Sequence, residues 1–158
     1  MKNGFTLVEL LIVISIIAIS AVAAISVYGN LQTSTQLSEN TTQIIQALRT
    51  ARERSLAGYN SNSHGVYFLI SGSGLDKYIL YQGSSYITRD QSFDREVVVS
   101  NTMTISNSDF VLTNGDIDIN FFQGTGMSNN IGMMVISHNA ANSSRLIKVN
   151  SVGLVEEK

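Results

Sequence analysis

Hydrophobic and polar positions along the chain fall into three regimes. From Phe5 to Val27 nearly every position is apolar, Thr6, Ser15, Ser20 and Ser26 are the minor polar members, and the only charge is Glu9. From Leu10 to Ser38 there is no charged side chain at all. As a helix, residues 5–27 would be about 34 Å long, enough to cross a hydrocarbon core of about 30 Å. In lipid only a helix satisfies the backbone of such a run, which is also too long for an ordinary buried helix. The pattern predicts a membrane-spanning helix over 5–27.

From Tyr28 to Ala57 the pattern turns amphipathic. Leu37, Thr41, Ile44, Leu48 and Ala51 recur at helical spacing, with Ile45 and Leu56 flanking them, while Gln32, Glu39, Gln43, Gln46 and Arg49 take the other face. This predicts the same helix continuing over 28–57 into water and laying its stripe on a sheet. Thr33–Thr35 is its weakest stretch. Gly58 suits a C-cap, and Arg49, Arg52 and Arg54 sit in the last turns, where the helix dipole favours cations. Arg49 is also spaced to pair with Glu53.

Beyond Gly58 the period shortens. Short β-rich runs at 66–70, 78–81, 97–99, 103–105, 110–112, 117–122, 133–137, 146–149 and 152–155 alternate with turn clusters such as Ser71–Gly74, Asn114-Gly115 and Ser128–Asn130. The last two runs read as a terminal hairpin turning at Asn150–Gly153. The expected class is α+β: a long N-terminal helix packed on a small antiparallel β-rich head over 58–158.

Composition narrows the chemistry. The chain has 158 residues, a formal charge of −2 and no cysteine, proline or tryptophan. That length gives one head with one core. The absence of cysteine excludes disulfides and thiolate metal sites. Net negative charge argues against a nucleic-acid partner, since three arginines near a helix end make a thin basic footprint. The serines and carboxylates form no nucleophile motif such as G-x-S-x-G, so the sequence supports no enzyme, and it implies no cofactor. Asp116-Ile117-Asp118-Ile119-Asn120 has the alternating oxygens that open a calcium loop. Phe121 then stands where glycine is needed, so the segment reads as a strand with one wet and one buried face. Ser71–Gly74 and Gly124-Thr125-Gly126 lack the setting of a phosphate cradle and read as turns. His64 and His138 fall in polar turn regions and read as surface histidines. Asn40-Thr41-Thr42 and Asn142-Ser143-Ser144 match the glycosylation pattern, as expected by chance in a chain so rich in Asn, Ser and Thr.

Glu9 is the anomaly. An acid inside an inserted helix costs on the order of 2.5–3.5 kcal/mol and is normally paired or functional. The nearest cation in sequence is Lys2. A cut after Gly4 would place a new α-amino group on Phe5, one helical turn from Glu9, and so supply the missing counter-charge in the same copy or a neighbouring one.

The run Gly4-Phe5-Thr6-Leu7-Val8-Glu9-Leu10-Leu11-Ile12-Val13-Ile14 resembles the prepilin signature of type IV pilins and type II secretion pseudopilins. The resemblance implies a leader over 1–4, cleavage between Gly4 and Phe5 by a prepilin peptidase, and methylation of the Phe5 amine. It further implies that Glu9 neutralises that amine during assembly, and that residues 5–27 serve first as an inner-membrane anchor in the lipid bilayer and then as the filament core. The partners it implies are the peptidase, other pilin or pseudopilin subunits and an inner-membrane assembly platform. Many pilins bend this helix at a proline. Here the corresponding stretch is Ile25-Ser26-Val27-Tyr28-Gly29, so a bend rests on Gly29 or is absent. In the head, Arg49-Thr50-Ala51-Arg52, Ile119-Asn120-Phe121, Gly124, Gly126 and Val152-Gly153 are similar to the minor pseudopilin H and FimT-type group. That similarity implies a minor subunit at or near the filament tip. Without a disulfide, the C-terminal region would be pinned by its hairpin.

Two other readings of the N-terminus stay open. Lys2, the apolar run and Ala21-Val22-Ala23 also fit a cleaved secretory signal, although such signals rarely hold a Glu and have shorter apolar cores. An uncleaved single-pass anchor meets the same length criterion. Either would make the chain an anchored or secreted β-rich binding module that does not polymerise.

Overall fold

The computed structural model describes residues 5–70, 75–141 and 143–158, without the side chains of residues 23–28 and 30. It divides into two compact units, one ending at Thr35 and one formed by Gln36–Lys158. Helix α1, Leu7–Leu56, supplies residues to both, and its bounds include Gly29. In the first unit Ser15 and Ser20 donate their hydroxyls back to the carbonyls of Leu11 and Ile16, both at 2.8 Å. Such back-bonding is how a hydroxyl sits in an apolar run without an unmet donor.

In the second unit the predicted stripe holds: Leu37, Thr41, Ile44, Ile45, Leu48 and Ala51 are all buried, while Glu39, Gln43, Gln46 and Arg49 are exposed. Leu56 remains largely exposed, with its side chain against Gly126. Gly58 ends the helix in the left-handed region at φ 63° and leads into a single 3-10 turn, Tyr59–Ser61. The strands are β1 His64–Leu69, β2 Lys77–Gln82, β3 Asp90–Val98, β4 Met103–Asn107, β5 Leu112–Thr113, β6 Asp116–Phe121, β7 Gly132–His138, β8 Ser144–Val149 and β9 Val155–Glu157. They make two antiparallel sheets, one in the order β3-β2-β1-β6-β5 and one in the order β4-β7-β8-β9. Val66, Phe68, Ile117 and Ile119 of the first sheet, Ile105, Met134, Ile136 and Ile147 of the second, and the α1 stripe share one core. The class is α+β.

Several strand bounds differ from the expected ones, each for a local reason. β3 begins at Asp90 rather than Val97. It is an edge strand, and its mostly polar first seven residues (Asp-Gln-Ser-Phe-Asp-Arg-Glu) carry the charges that protect an edge, which hides the strand period. The 110–112 run contributes only Leu112 to β5. Phe110 is held by Asn107, whose side chain accepts its N–H and donates to its carbonyl, both at 2.9 Å, and Asn130 does the same for Val111 at 3.1 and 2.9 Å. Two side-chain amides thus replace a partner strand. The terminal hairpin turns at Asn150–Gly153 as expected, with the Asn150 side chain accepting from Leu154 N–H at 2.8 Å, but β9 starts only at Val155. Arg49 does not form the expected pair with Glu53 among the ion pairs of the described residues. Its guanidinium donates to the Val155 carbonyl at 3.2 Å, and that of Arg52 to Val152 at 3.3 Å. These arginines pin the hairpin that no disulfide holds. Ser71–Gly74 lies outside the described residues, as does Asn142 of the second glycosylation pattern.

Candidate functional site

The first turn of α1 is built by Thr6. Its Oγ1 accepts the Glu9 N–H at 3.2 Å and its carbonyl accepts the Leu10 N–H at 3.2 Å, so it is the N-cap and Glu9 is the third helical residue. Thr6-x-x-Glu9 is the spacing of a capping box, a signal that was legible in the sequence and that the anomaly of Glu9 overshadowed. An acid there is also favoured by the positive end of the helix dipole. Phe5 stands immediately outside the helix and is 72% exposed. Of the predicted site residues, Phe5 and Glu9 therefore lie at one helix end, a turn apart in sequence, and Gly4 lies outside the described residues.

No face of this helix end is covered. Exposure of the large apolar side chains from Leu7 to Val22 runs from 43% at Val13 to 77% at Leu7. A helix apolar on every side needs lipid or other helices around it. Among the described residues no helix is long and apolar enough to cross a membrane. The expected span thus rests on the sequence of residues 5–27, in which the side chains beyond Val22 lie outside the described residues.

In the head, the outward face of β6 is not the wet face its alternation suggested. Asp116 accepts from Tyr67 Oη at 2.9 Å and from Ile70 N–H at 3.0 Å; Asp118 accepts from Tyr81 Oη at 2.6 Å and from Tyr86 N–H at 3.2 Å. All four carboxylate oxygens of the calcium-like run are engaged by protein donors. Tyr81 reaches β6 by crossing β1 at Gly65, its register partner, where an added Cβ would collide with the tyrosine hydroxyl. The loop after β2 folds back over this face, carrying Tyr86 and Arg89, and Arg89 pairs with Asp94 at 2.8 Å. Burial, then the hydrogen bond and charge of Asp116, push the Tyr67 hydroxyl pKa upward. Burial, then the charge of Asp118, do the same to Tyr81. Burial raises Asp118 itself, against the opposing bonds from Tyr81 and Tyr86.

Both histidines are buried rather than on the surface: His64 opens β1 and His138 closes β7. They flank apolar strands, and a residue at a strand end is drawn under whatever packs there. His138 Nδ1 accepts from Ala140 N–H at 3.2 Å. Among the described residues no cluster of three His, Cys, Asp or Glu side chains is placed to hold a metal. A groove of about 420 Å³ runs between α1 and strands β2 and β3, lined by Gln43, Gln46, Thr50, Tyr78 and Arg95. It assembles no nucleophile with a base.

The N-terminal geometry is therefore the feature that points to a function: a capped helix end bearing one acid, followed by an uncovered apolar surface. Residues 1–25 match the family model of the prokaryotic N-terminal methylation motif. The match supports the prepilin-type reading of this segment, and with it a type IV pilin-like, prepilin-processed protein. The methylation motif ends before the head, and no curated protein and no solved structure matches the chain.

Proposed function

We propose that the chain is a minor structural subunit of a type IV pilus or type II secretion pseudopilus, not an enzyme. Hydrolysis of the Gly4–Phe5 peptide bond by a prepilin peptidase leaves a carboxylate on Gly4 and an amine on Phe5, which is then methylated. Residues 5–27 anchor the chain singly in the inner membrane, with the head outside the cytoplasm, until the assembly platform transfers it to a filament of pilin subunits. There the apolar helix surfaces bury one another, and Glu9 meets the Phe5 amine of its own or a neighbouring copy. Leaving Glu9 unpaired in that apolar core would be costly, so it sets register. Head-to-tail contacts that do not close generate a helical filament.

The observation that carries this reading is the helix from Leu7 to Val22, exposed and apolar on all sides with one acid in its first turn. A plain anchor has no use for that acid. The minor rank rests on the head's similarity to the pseudopilin H and FimT-type group. Intact mass and N-terminal sequencing of the membrane-extracted chain, with and without prepilin peptidase, test the reading. The expected product begins at methylated Phe5 only when the peptidase is present. A start near Ala24, or an intact Met1 in both strains, would replace the filament subunit with a secreted or anchored binding module.

A further inference from the structure

Among the described residues of the head, a buried titratable side chain has both of its ring nitrogens unmet. His64 is 3% exposed, and neither Nδ1 nor Nε2 has a hydrogen-bond partner. Its backbone is fixed: the His64 N–H donates to Ser55 Oγ at 2.8 Å, and Ser55 Oγ donates to the His64 carbonyl. The ring is not free to leave alone.

Its surroundings hold no anion to balance a cation. From α1 comes Arg54, a like charge, with Ser55 engaged at the backbone. From the 3-10 turn comes Tyr59, whose ring centroid is 5.9 Å from that of His64 and 5.8 Å from Arg54 Cζ. From β2 comes Gln82, whose amide oxygen already accepts from Asn60 Nδ2 at 2.8 Å. From β6 comes Phe121, the register partner. No carboxylate is among them. Burial, followed by the charge of Arg54, holds the imidazole below the usual histidine range; the Asn62 backbone and the Gln82 side chain, whose acceptors face the ring without reaching hydrogen-bond geometry, oppose this without reversing it.

The segment that covers the ring is strained. Asn60 and Ser61 sit at φ 51° and 54°, with only Tyr59 between them and Gly58 at 63°. Two successive non-glycine residues in the left-handed region persist only where their surroundings hold them. Here those are the Tyr59–His64 ring contact, the Asn60–Gln82 bond and the reciprocal Ser55–His64 bonds.

We propose that His64 makes the α1–β1 junction an acid-sensitive latch: the neutral ring holds residues 58–63 in their strained turn, and the protonated ring releases it. A proton on the ring creates a second cation beside Arg54, out of reach of water. Hydrating it requires the covering turn to move outward, a movement that also relieves the backbone at Asn60 and Ser61. The sign follows from the lowered value: the neutral form is the one the fold prefers. The latch is closed above the ordinary histidine value of about 6.5 and opens as pH falls below it. This inference does not depend on polymerisation, and it predicts a head whose contacts near the end of α1 respond to external acidity.

Amide hydrogen exchange of the full chain in detergent micelles, corrected for intrinsic pH dependence and followed from pH 8 to pH 5, tests the latch. The amides of Ser61, Asn62 and His64 should lose protection at least tenfold with a midpoint below about 6.5, while those of β7 and β8 stay protected. His64→Gln should flatten the response. Should that variant fail to fold, Arg54→Gln provides a separate reading, since removing the like charge should move the midpoint upward. His138→Gln should leave the transition in place. Protection that does not change with pH, a transition surviving His64→Gln, a midpoint unmoved by Arg54→Gln, or a transition abolished by His138→Gln would each overturn the proposal.

Discussion

Tyr86 lies flat on Tyr67, the ring centroids 3.6 Å apart and the planes 4° from parallel. With one face of Tyr86 taken, Arg89, whose Cζ is 3.7 Å from the same centroid, closes the stack on the other. The loop after β2 is thereby strapped across the outward face of the five-stranded sheet. The strap explains why β1 is buried from His64 to Phe68 on both faces, although an antiparallel sheet packed on a helix usually shows water on one side.

Removing the stack should free the strap. Tyr86→Ala forfeits an aromatic pair and a cation–π contact, together about 2 kcal/mol. Thermal unfolding should show that loss, and hydrogen exchange should show it concentrated in residues 83–89. Tyr86→Phe should be nearly neutral, because the bond Tyr86 makes to Asp118 comes from its backbone N–H. A Phe variant as unstable as the Ala variant would mean that the hydroxyl, not the ring, holds the strap.

Asp76 ties the two sheets together. Its buried carboxylate accepts the Ile105 N–H at 2.6 Å, and its carbonyl accepts from Val99 N–H at 2.9 Å. Asp76→Ala leaves the β4 amide without an acceptor and should cost about 2–3 kcal/mol. Asp76→Asn keeps an acceptor oxygen and should lose about half as much. Urea unfolding of the two variants separates a hydrogen-bond role from a purely steric one, which would leave them alike.

Alkaline pH should unfold the head through its tyrosines. Tyr67, Tyr78 and Tyr81 are all raised above the usual phenol range, chiefly by burial. The neutral forms belong to the fold, so their contribution is intact below the unfolded value of about 10 and is lost as pH climbs past it. The tyrosinate absorbance of these three residues should therefore rise together with loss of structure. A smooth titration completed while the head stays folded would count against their burial.

Glu9 and Thr6 should separate in a filament assay. Glu9→Leu should leave membrane insertion intact and remove the chain from sheared filaments. Thr6→Ala loses the N-cap acceptor at a cost of about 1 kcal/mol to the first turn, and should lower incorporation without abolishing it. Equal recovery of Glu9→Leu and wild type in filaments would remove the assembly role from Glu9.

The one-dimensional pattern by itself determined the features whose cause is local. A 23-residue apolar run with one acid, the 3.6-residue stripe from Leu37 to Ala51, the glycine stop at Gly58 and the Asn150–Gly153 turn each follow from neighbours in sequence. So does the methylation motif, which needs no fold to be read. The capping box of Thr6 and Glu9 was equally local. Tertiary structure decided what depends on residues far apart. Nothing near Asp116 or Asp118 announces that tyrosines from β1 and β2 and two loop amides will consume their oxygens, because the sheet order β2-β1-β6 creates that meeting. The polar edge strand β3 exists by pairing with β2, against its own weak pattern. Asn107 and Asn130 replaced a predicted ladder with side-chain amides, a choice made by distance in space. His64, polar and flanked by turn residues in sequence, is buried because α1, the turn at Tyr59 and β2 converge on it. Burial is a property of the whole packing, and the chemistry of a histidine changes with it.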